Sequence, residues 1–130
     1  MSCVGEVMVT CPTVHGASAT VGQLRTFFSD HVHAALLVNG DELVGVVERT
    51  DLTADLGDET PARLVAMLEG RTVDPGASKD SILESMNNTA TRRLAVVSAE
   101  GVLLGLLCLK ASGLGFCSDA DVRSRRRRSK

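Results

Sequence analysis

The sequence predicts a mixed α/β (α+β) domain built from two diverged copies of one β-α-β-β unit with connecting helices. Three observations carry this. Offset by 59 residues, Met8 meets Met67, Thr13 meets Thr72, Val14 meets Val73, Leu24 meets Leu83 and Val38 meets Val97. One residue inserted in the next turn raises the offset to 60, and Leu43 then meets Leu103, Gly45 meets Gly105, Val46 meets Leu106 and Val47 meets Leu107. Each copy also shows the same succession of extended, helical and extended patterns. Finally, the strand-like runs are apolar without alternation, which predicts sheets covered on both faces. Two copies suit a pseudo-symmetric pair better than a solenoid, which needs more repeats.

Taken in order, Thr13-Val14 and Thr72-Val73 are short extended pieces. Loops of turn formers follow, His15-Gly16-Ala17-Ser18 and Asp74-Pro75-Gly76-Ala77-Ser78. Val21, Leu24, Phe27 and Phe28 then fall at helical spacing in the first copy, as do Ile82, Leu83 and Met86 in the second. Ser78 is a good N-cap, with Asp80 in the first turn. A hairpin follows in each copy. Ala34 to Val38 and Leu43 to Val47 flank Asn39-Gly40-Asp41-Glu42, and Leu94 to Val97 and Val102 to Leu109 flank Ser98-Ala99-Glu100-Gly101. Between the copies, Thr60-Pro61 predicts the start of a helix from Ala62 to Leu68. The first repeat is expected over 1–60, the second over 61–117, and a basic, disordered tail over 118–130.

The 130 residues and 44% apolar content suit one globular domain with an aliphatic core, since there are three Phe and no Tyr or Trp. No run approaches the ~18 apolar residues of a membrane span, and MSCVGEV lacks the features of a signal peptide. A cytoplasmic setting without membrane insertion is expected. Cys3, Cys11, Cys108 and Cys117 form no C-x-x-C pair and no zinc spacing, so reduced structural thiols are expected. Of the 14 basic residues, Arg123, Arg125, Arg126, Arg127, Arg128 and Lys130 lie in the tail, leaving 8 in the body. Such a tail can attract nucleic acid, an anionic surface or an acidic protein, or merely aid solubility. His31 and His33, beside Asp30, read as a polar segment before a strand in preference to a metal or pH-sensing site.

Each copy resembles a cystathionine-β-synthase (CBS) domain, and residues 4 to 113 resemble a tandem CBS pair, or Bateman module. Val4-Gly5-Glu6-Val7-Met8 is similar to the family's opening "VxDVM", and Val44-Gly45-Val46-Val47-Glu48-Arg49-Thr50-Asp51-Leu52 to its closing "VGIVTxxDL". Val73 to Ser78 resembles "VxPDTS", and Arg92-Arg93-Leu94-Ala95-Val96-Val97 resembles "RRLPVV". The resemblance implies two pseudo-twofold-related β-α-β-β-α repeats, each a small three-stranded sheet covered by two helices, with clefts that take AMP, ADP, ATP or a related adenosyl ligand. It also implies a homodimer.

By the same resemblance, Asp51 stands where the family grips the ribose. A carboxylate can accept both O–H groups of a cis-diol. The bland alternative is that Asp51 only stabilises a helix start. Glu48 replaces the usual Thr or Ser, while Thr50 still offers a hydroxyl. The adenine contacts would fall on Thr13, Val14, His15 and Ala17, with Ala34, Ala35 and Leu36. In the second copy Cys108 and Ala111 replace the polar pair, leaving only Ser112 as a partial substitute, so at most one competent nucleotide site is expected per chain.

The leading expectation is a regulatory module that binds an adenosyl ligand and signals to an effector protein. The alternative is a ligand-free dimerisation or protein-interaction module, favoured by Glu48, Cys108 and Ala111. No P-loop, G-x-S-x-G, zincin motif or paired Cys supports an enzyme; a thiol chemistry at Cys108 is the least remote version. No catalytic residue, metal or required cofactor is expected.

Overall fold

A computed structural model describes residues 3–10, 12–28, 34–110 and 112–117. Cys11, His31, His33, Ala111 and the basic tail lie outside the described residues. The elements are α1 (Val4–Val7), β1 (Val14–Gly16), α2 (Val21–Phe27), β2 (Ala34–Asn39), β3 (Glu42–Glu48), β4 (Thr72–Val73), α3 (Lys79–Thr89), β5 (Arg93–Val97) and β6 (Leu103–Cys108). Short 3-10 turns occupy Arg49–Asp51 and Ala62–Leu64. No helix among the described residues is long and apolar enough to cross a membrane.

Two three-stranded sheets form, ordered β1-β2-β3 and β4-β5-β6, each with a parallel first pair and an antiparallel second pair. The sheets face each other. Leu36, Leu43, Val46 and Ala95 are buried between them, joined by Val38, Val97, Leu103 and Leu106. The opposite face of the first sheet holds Ala35, Leu37 and Val47 against Leu24 of α2. The opposite face of the second holds Val96 and Leu107 against Val4 of α1 and Met86 of α3. Successive residues of β2 therefore bury into different layers, which explains apolar runs that do not alternate.

The two helices that follow a first strand begin as their sequences direct. Thr20 caps α2 in a capping box, with the Gln23 N–H donating to Thr20 Oγ1 at 3.3 Å and the Thr20 N–H to Gln23 Oε1 at 3.0 Å. Ser78 caps α3 by accepting the Ser81 N–H. Both hairpins carry a register shift at equivalent places, Leu37/Val38 and Val96/Val97. Their turns differ by one residue. Gly40, at φ 66°, opens a two-residue turn between paired Asn39 and Glu42. In the second hairpin Gly101, at φ 86°, ends a longer turn in which its N–H donates to Ser98 O. This is the inserted residue.

The pseudo-twofold relation is written into the backbone. The Leu43 N–H donates to Gly101 O and the Leu103 N–H donates to Asp41 O, the same bond exchanged between copies. The leading segment of each copy crosses to the other copy's sheet. Val9 pairs with Leu106 on the edge of β6, and Met67 pairs with Val46 on the edge of β3. Glycine permits both crossings. A Cβ at Gly45 would lie 2.6 Å from Ala66 Cβ, and one at Gly105 would lie 2.6 Å from Val9 O.

Two expectations need correcting. The helix from Ala62 to Leu68 is only a 3-10 turn over Ala62–Leu64. Met67 instead exchanges both backbone hydrogen bonds with Val46, and a sheet edge left unpaired outweighs local helix preference. Both leading segments make such an edge pair, but α1 precedes it in the first copy and only the 3-10 turn in the second, so α2 and a 3-10 turn cover the first sheet where α1 and α3 cover the second. The first half of the repeat is also offset by 58 residues and not 59. The N-caps Thr20 and Ser78, and the strand pairs Val14–Leu36 and Thr72–Ala95, fix that register. Arg71 is therefore the counterpart of Thr13.

Candidate functional site

The first copy's closing segment leaves β3 at Glu48 and turns through Arg49–Asp51. The turn is held from outside by Arg71, which precedes β4. Arg71 Nη1 donates to Asp51 Oδ2 at 2.6 Å and to Val46 O at 2.7 Å, and its Nη2 donates to Asp51 Oδ1 at 3.1 Å. Glu48 Oε1 lies 3.4 Å from Arg71 Nη2. Asp51 Oδ2 also accepts the Glu48 N–H at 2.8 Å. The side chains of Arg71 and Asp51 are 13% and 18% exposed, so the pair is largely withdrawn from water. Hydrogen bonding to Asp51 raises the Arg71 pKa above its already high ordinary value, keeping the guanidinium charged. This bidentate geometry is the strong form of an Arg–carboxylate contact.

Beside this latch a cavity of about 330 Å³ opens between the copies. Glu48, Arg49 and Thr50 line it from the first copy, and Thr89, Ala90, Thr91, Arg92 and Arg93 from the end of α3 and the start of β5. Its volume is at the lower end for small-molecule sites. Three arginines and one glutamate are among the lining residues, a net positive balance that favours an anion. Arg92 Nη2 reaches Leu109 O at 3.4 Å, while its Nε is buried with no hydrogen-bond partner. A buried donor left so carries a desolvation cost. Arg93, 7% exposed, donates to Arg92 O at 3.0 Å and so stiffens the same wall. Thr89 and Thr91 share a hydroxyl hydrogen bond of 2.8 Å. Arg49 lies over the ring of Phe28, 5.9 Å from its centroid.

Many solved structures share this architecture. The CBS pair domain of a protein from Shewanella oneidensis superposes with a TM-score of 0.73 at 21% identity, over 97% of this chain and 72% of that one. CBSX2, solved with AMP, superposes at 0.70 with 22% identity over all of both chains. A CBS domain protein from Pyrobaculum aerophilum, also solved with AMP, superposes at 0.69 with 23% identity, over 96% of this chain and 98% of that one. The fold is that of a tandem CBS pair. No family model and no curated protein matches the sequence itself.

Within this fold the sequence-predicted ligand residues separate into three groups. Thr50 lines the cavity, and Asp51 stands beside it in the latch. Ala35 and Leu36 are buried in two different core layers, and Ala34 packs on the layer between the sheets, so their side chains are committed to packing. Thr13, Val14, His15 and Ala17 lie on or beside β1 and do not line this cavity. Thr13 and Val14 are exposed, and Ala17 is half-buried. The His15 ring meets Phe27 edge-on at 4.4 Å, and its Nδ1 is buried without a partner. Burial pushes its pKa below the ordinary histidine value.

The sequence reading did not assign Arg49, Arg92 or Arg93 to the site. Arg92 and Arg93 were visible as the start of a strand motif. Their signal was charge: two adjacent cations at the mouth of an apolar strand. Arg71 gave no local signal, because its partner lies twenty residues earlier in the other copy.

Proposed function

We propose that this chain is a regulatory CBS-pair module whose inter-repeat cleft binds an adenine nucleotide or related adenosyl ligand and passes its occupancy to an effector protein. The observation that carries this reading is the cavity shared by the two copies and walled by Arg49, Arg92 and Arg93. AMP in two structures of this fold, and ATP in the cytosolic domain of the Mg2+ channel MgtE, support an adenine nucleotide as occupant. A ligand bridging Glu48–Thr50 and Thr89–Arg93 touches both copies at once, so it shifts any equilibrium in their relative setting by its difference in affinity for the two settings. The role is regulatory and not catalytic, in a cytoplasmic protein.

Thermal denaturation of the full chain with AMP, ADP, ATP or S-adenosylmethionine tests this. At ligand about 100-fold above Kd, binding stabilises by about 2.7 kcal/mol, a shift of several degrees. Arg92→Gln should diminish that shift. No shift with any of the four at millimolar concentration would reject the reading. A ligand-free homodimerisation module is the second reading. It is favoured by exposed Leu64, Met67 and Leu68 in the segment joining the copies, where Leu64 is 68% exposed. Native mass spectrometry separates the two, since it reports subunit number and any retained nucleotide together.

A further inference from the structure

Beyond β6 the chain folds back as a strap along the strand it has just left, and two cysteines meet where strap and strand run side by side. We propose that Cys108 and Cys117 are a redox-responsive pair whose disulfide locks this strap onto β6. The proposal is independent of what the inter-repeat cavity binds.

Leu109 and Phe116 form an antiparallel bridge. On one side of it the Lys110 N–H donates to Gly115 O at 2.9 Å, and on the other the Cys117 N–H donates to Cys108 O at 2.7 Å. Cys117 therefore stands opposite Cys108. Opposite residues of an antiparallel pair direct their side chains to the same face, with Cα atoms about 5.5 Å apart when hydrogen-bonded. A disulfide usually spans Cα atoms about 4.4–6.8 Å apart. The packing agrees with this placement. Cys108 is 2% exposed and Cys117 7%, and both belong to one buried cluster with Val9. Both are thiols in this structure. Cys3 lies elsewhere, bridged to Ser78 at the start of α3.

The strap is held lightly. Phe116 packs on the core of the second copy, Asn87 Nδ2 donates to Gly113 O at 2.8 Å, and Ser112 and Leu114 between them are exposed. A segment with so few buried contacts opens more easily than the sheet it lies on. Opening bares Cys117, which the strap itself carries. The oxidant is a low-molecular-weight disulfide. The Cys117 thiolate attacks one of its sulfurs, which forms a mixed disulfide and releases one thiolate. The Cys108 thiolate then attacks the Cys117 sulfur and releases the second. The two protein thiols give up two protons and two electrons, and the small disulfide becomes two thiols. In a reducing setting such a bond is transient, which suits a switch and not a permanent staple. The bond would also bear on the inter-repeat wall, because Leu109 O accepts from Arg92 and Arg93 at 3.4 and 3.5 Å.

The full chain, equilibrated with oxidised glutathione and then quenched with acid and alkylated, tests the pairing by mass spectrometry. Trypsin cuts after Arg93, Lys110 and Arg123, so Cys108 and Cys117 fall in separate peptides, while Cys3 and Cys11 share the peptide ending at Arg25. The expected product is a monomer lighter by two hydrogens, with the peptides of Cys108 and Cys117 joined. Dithiothreitol should restore all four thiols. The joined peptides should persist in Cys3→Ser/Cys11→Ser and vanish in Cys117→Ser. Amide hydrogen exchange at Lys110 and Cys117 should slow by at least about tenfold in the oxidised chain. Four thiols still open to alkylation, glutathione retained on Cys117, or a link from Cys108 or Cys117 to the peptide ending at Arg25 would each overturn the pairing. A bond formed with exchange unchanged would overturn its role as a lock.

Discussion

The two closing segments occupy equivalent places and end differently. In the first copy Glu48 and Asp51 fold into a turn clasped by Arg71. In the second, the counterparts are Cys108 and Ala111, and the counterpart of Arg71 is Thr13. Beyond Cys108 the chain doubles back. Leu109 pairs with Phe116, the Cys117 N–H donates to Cys108 O at 2.7 Å, and Cys117 packs with Cys108 and Val9. Both members of the ion pair are present on one side, and both are absent on the other. Physical chemistry favours that outcome, because a largely buried charge without its partner is more costly than either a complete pair or an apolar replacement.

Removing one partner should therefore produce the largest asymmetry between the copies. Arg71→Ala is expected to destabilise the chain by about 3 kcal/mol, because it leaves the largely withdrawn Asp51 carboxylate without its cationic partner and with only the Glu48 N–H still donating to it. Thr13→Ala, at the equivalent exposed position, removes no charged pair and should cost less than half as much as Arg71→Ala. Removing both charges with Arg71→Met and Asp51→Leu should recover more than half of the Arg71→Ala loss. Urea denaturation of the three variants measures this, and equal losses at 71 and 13 would show that the latch contributes nothing special.

The likeness of the copies should be strongest at the crossing glycines. Gly45→Ala and Gly105→Ala each push a methyl to 2.6 Å from a neighbour, Ala66 Cβ in one case and Val9 O in the other. A loss of about 2 kcal/mol is expected in each, since neither contact can be relieved by rotating a long side chain. A neutral result at either position would mean that its crossing strand is free to withdraw, and would break the pseudo-symmetry there.

These two tests also separate what the sequence made legible from what it hid. The fold followed from apolar runs, turn glycines and their repetition, all of which are local or in register. Gly45 and Gly105 stood out because the same close approach is needed twice. The first-half register was misread by one because Met8 and Met67 match in type, although Val9 and Met67 are the residues that pair with the other sheet. The helix expected to Leu68 failed for a related reason: the edge of β3 that captures Met67 is distant in sequence. The resemblance pointed to Asp51 itself; its contact with Arg71 was hidden because it joins two copies and has no spacing rule. Thr50 was recoverable from the closing motif. The arginine wall was not, because α3 must first bring Thr89–Arg93 opposite Glu48–Thr50.

A smaller, pH-dependent difference is expected between the first strands. His15 pairs with Leu37 where Val73 pairs with Val96 in the other copy. Burial lowers the His15 pKa, so between the folded and unfolded values the unfolded chain binds more protons. Stability must then fall as the pH drops below the ordinary histidine value of about 6.5, and the loss must level off below the folded pKa. His15→Phe keeps an apolar ring against Phe27 and should flatten this slope. Denaturant midpoints between about pH 7 and pH 5 compare the two proteins, with the remaining histidines as a common background. An unchanged slope in His15→Phe would assign the acid sensitivity elsewhere.

The smallest expected effect concerns how the two principal helices end. α2 runs out at Phe28 with φ −69°, an ordinary extended exit. α3 ends at Ala90 with φ 56° and ψ 31°, a left-handed conformation in which the Thr91 N–H reaches back to Met86 O. Glycine normally fills such a position, because an L side chain there costs about 1–2 kcal/mol. Ala90→Gly removes that strain but also gives the unfolded chain more freedom, which offsets about 0.5–1 kcal/mol of the gain. A net stabilisation of about 0.5 kcal/mol should appear as a higher urea midpoint with an unchanged slope. Since Ala90 lines the cavity between Thr89 and Thr91, the same variant also asks whether that wall depends on its methyl group. Higher stability with unchanged nucleotide affinity would make Ala90 a tolerated strain in the helix end. Higher stability with weaker binding would make the strained residue part of how the second copy shapes the cleft.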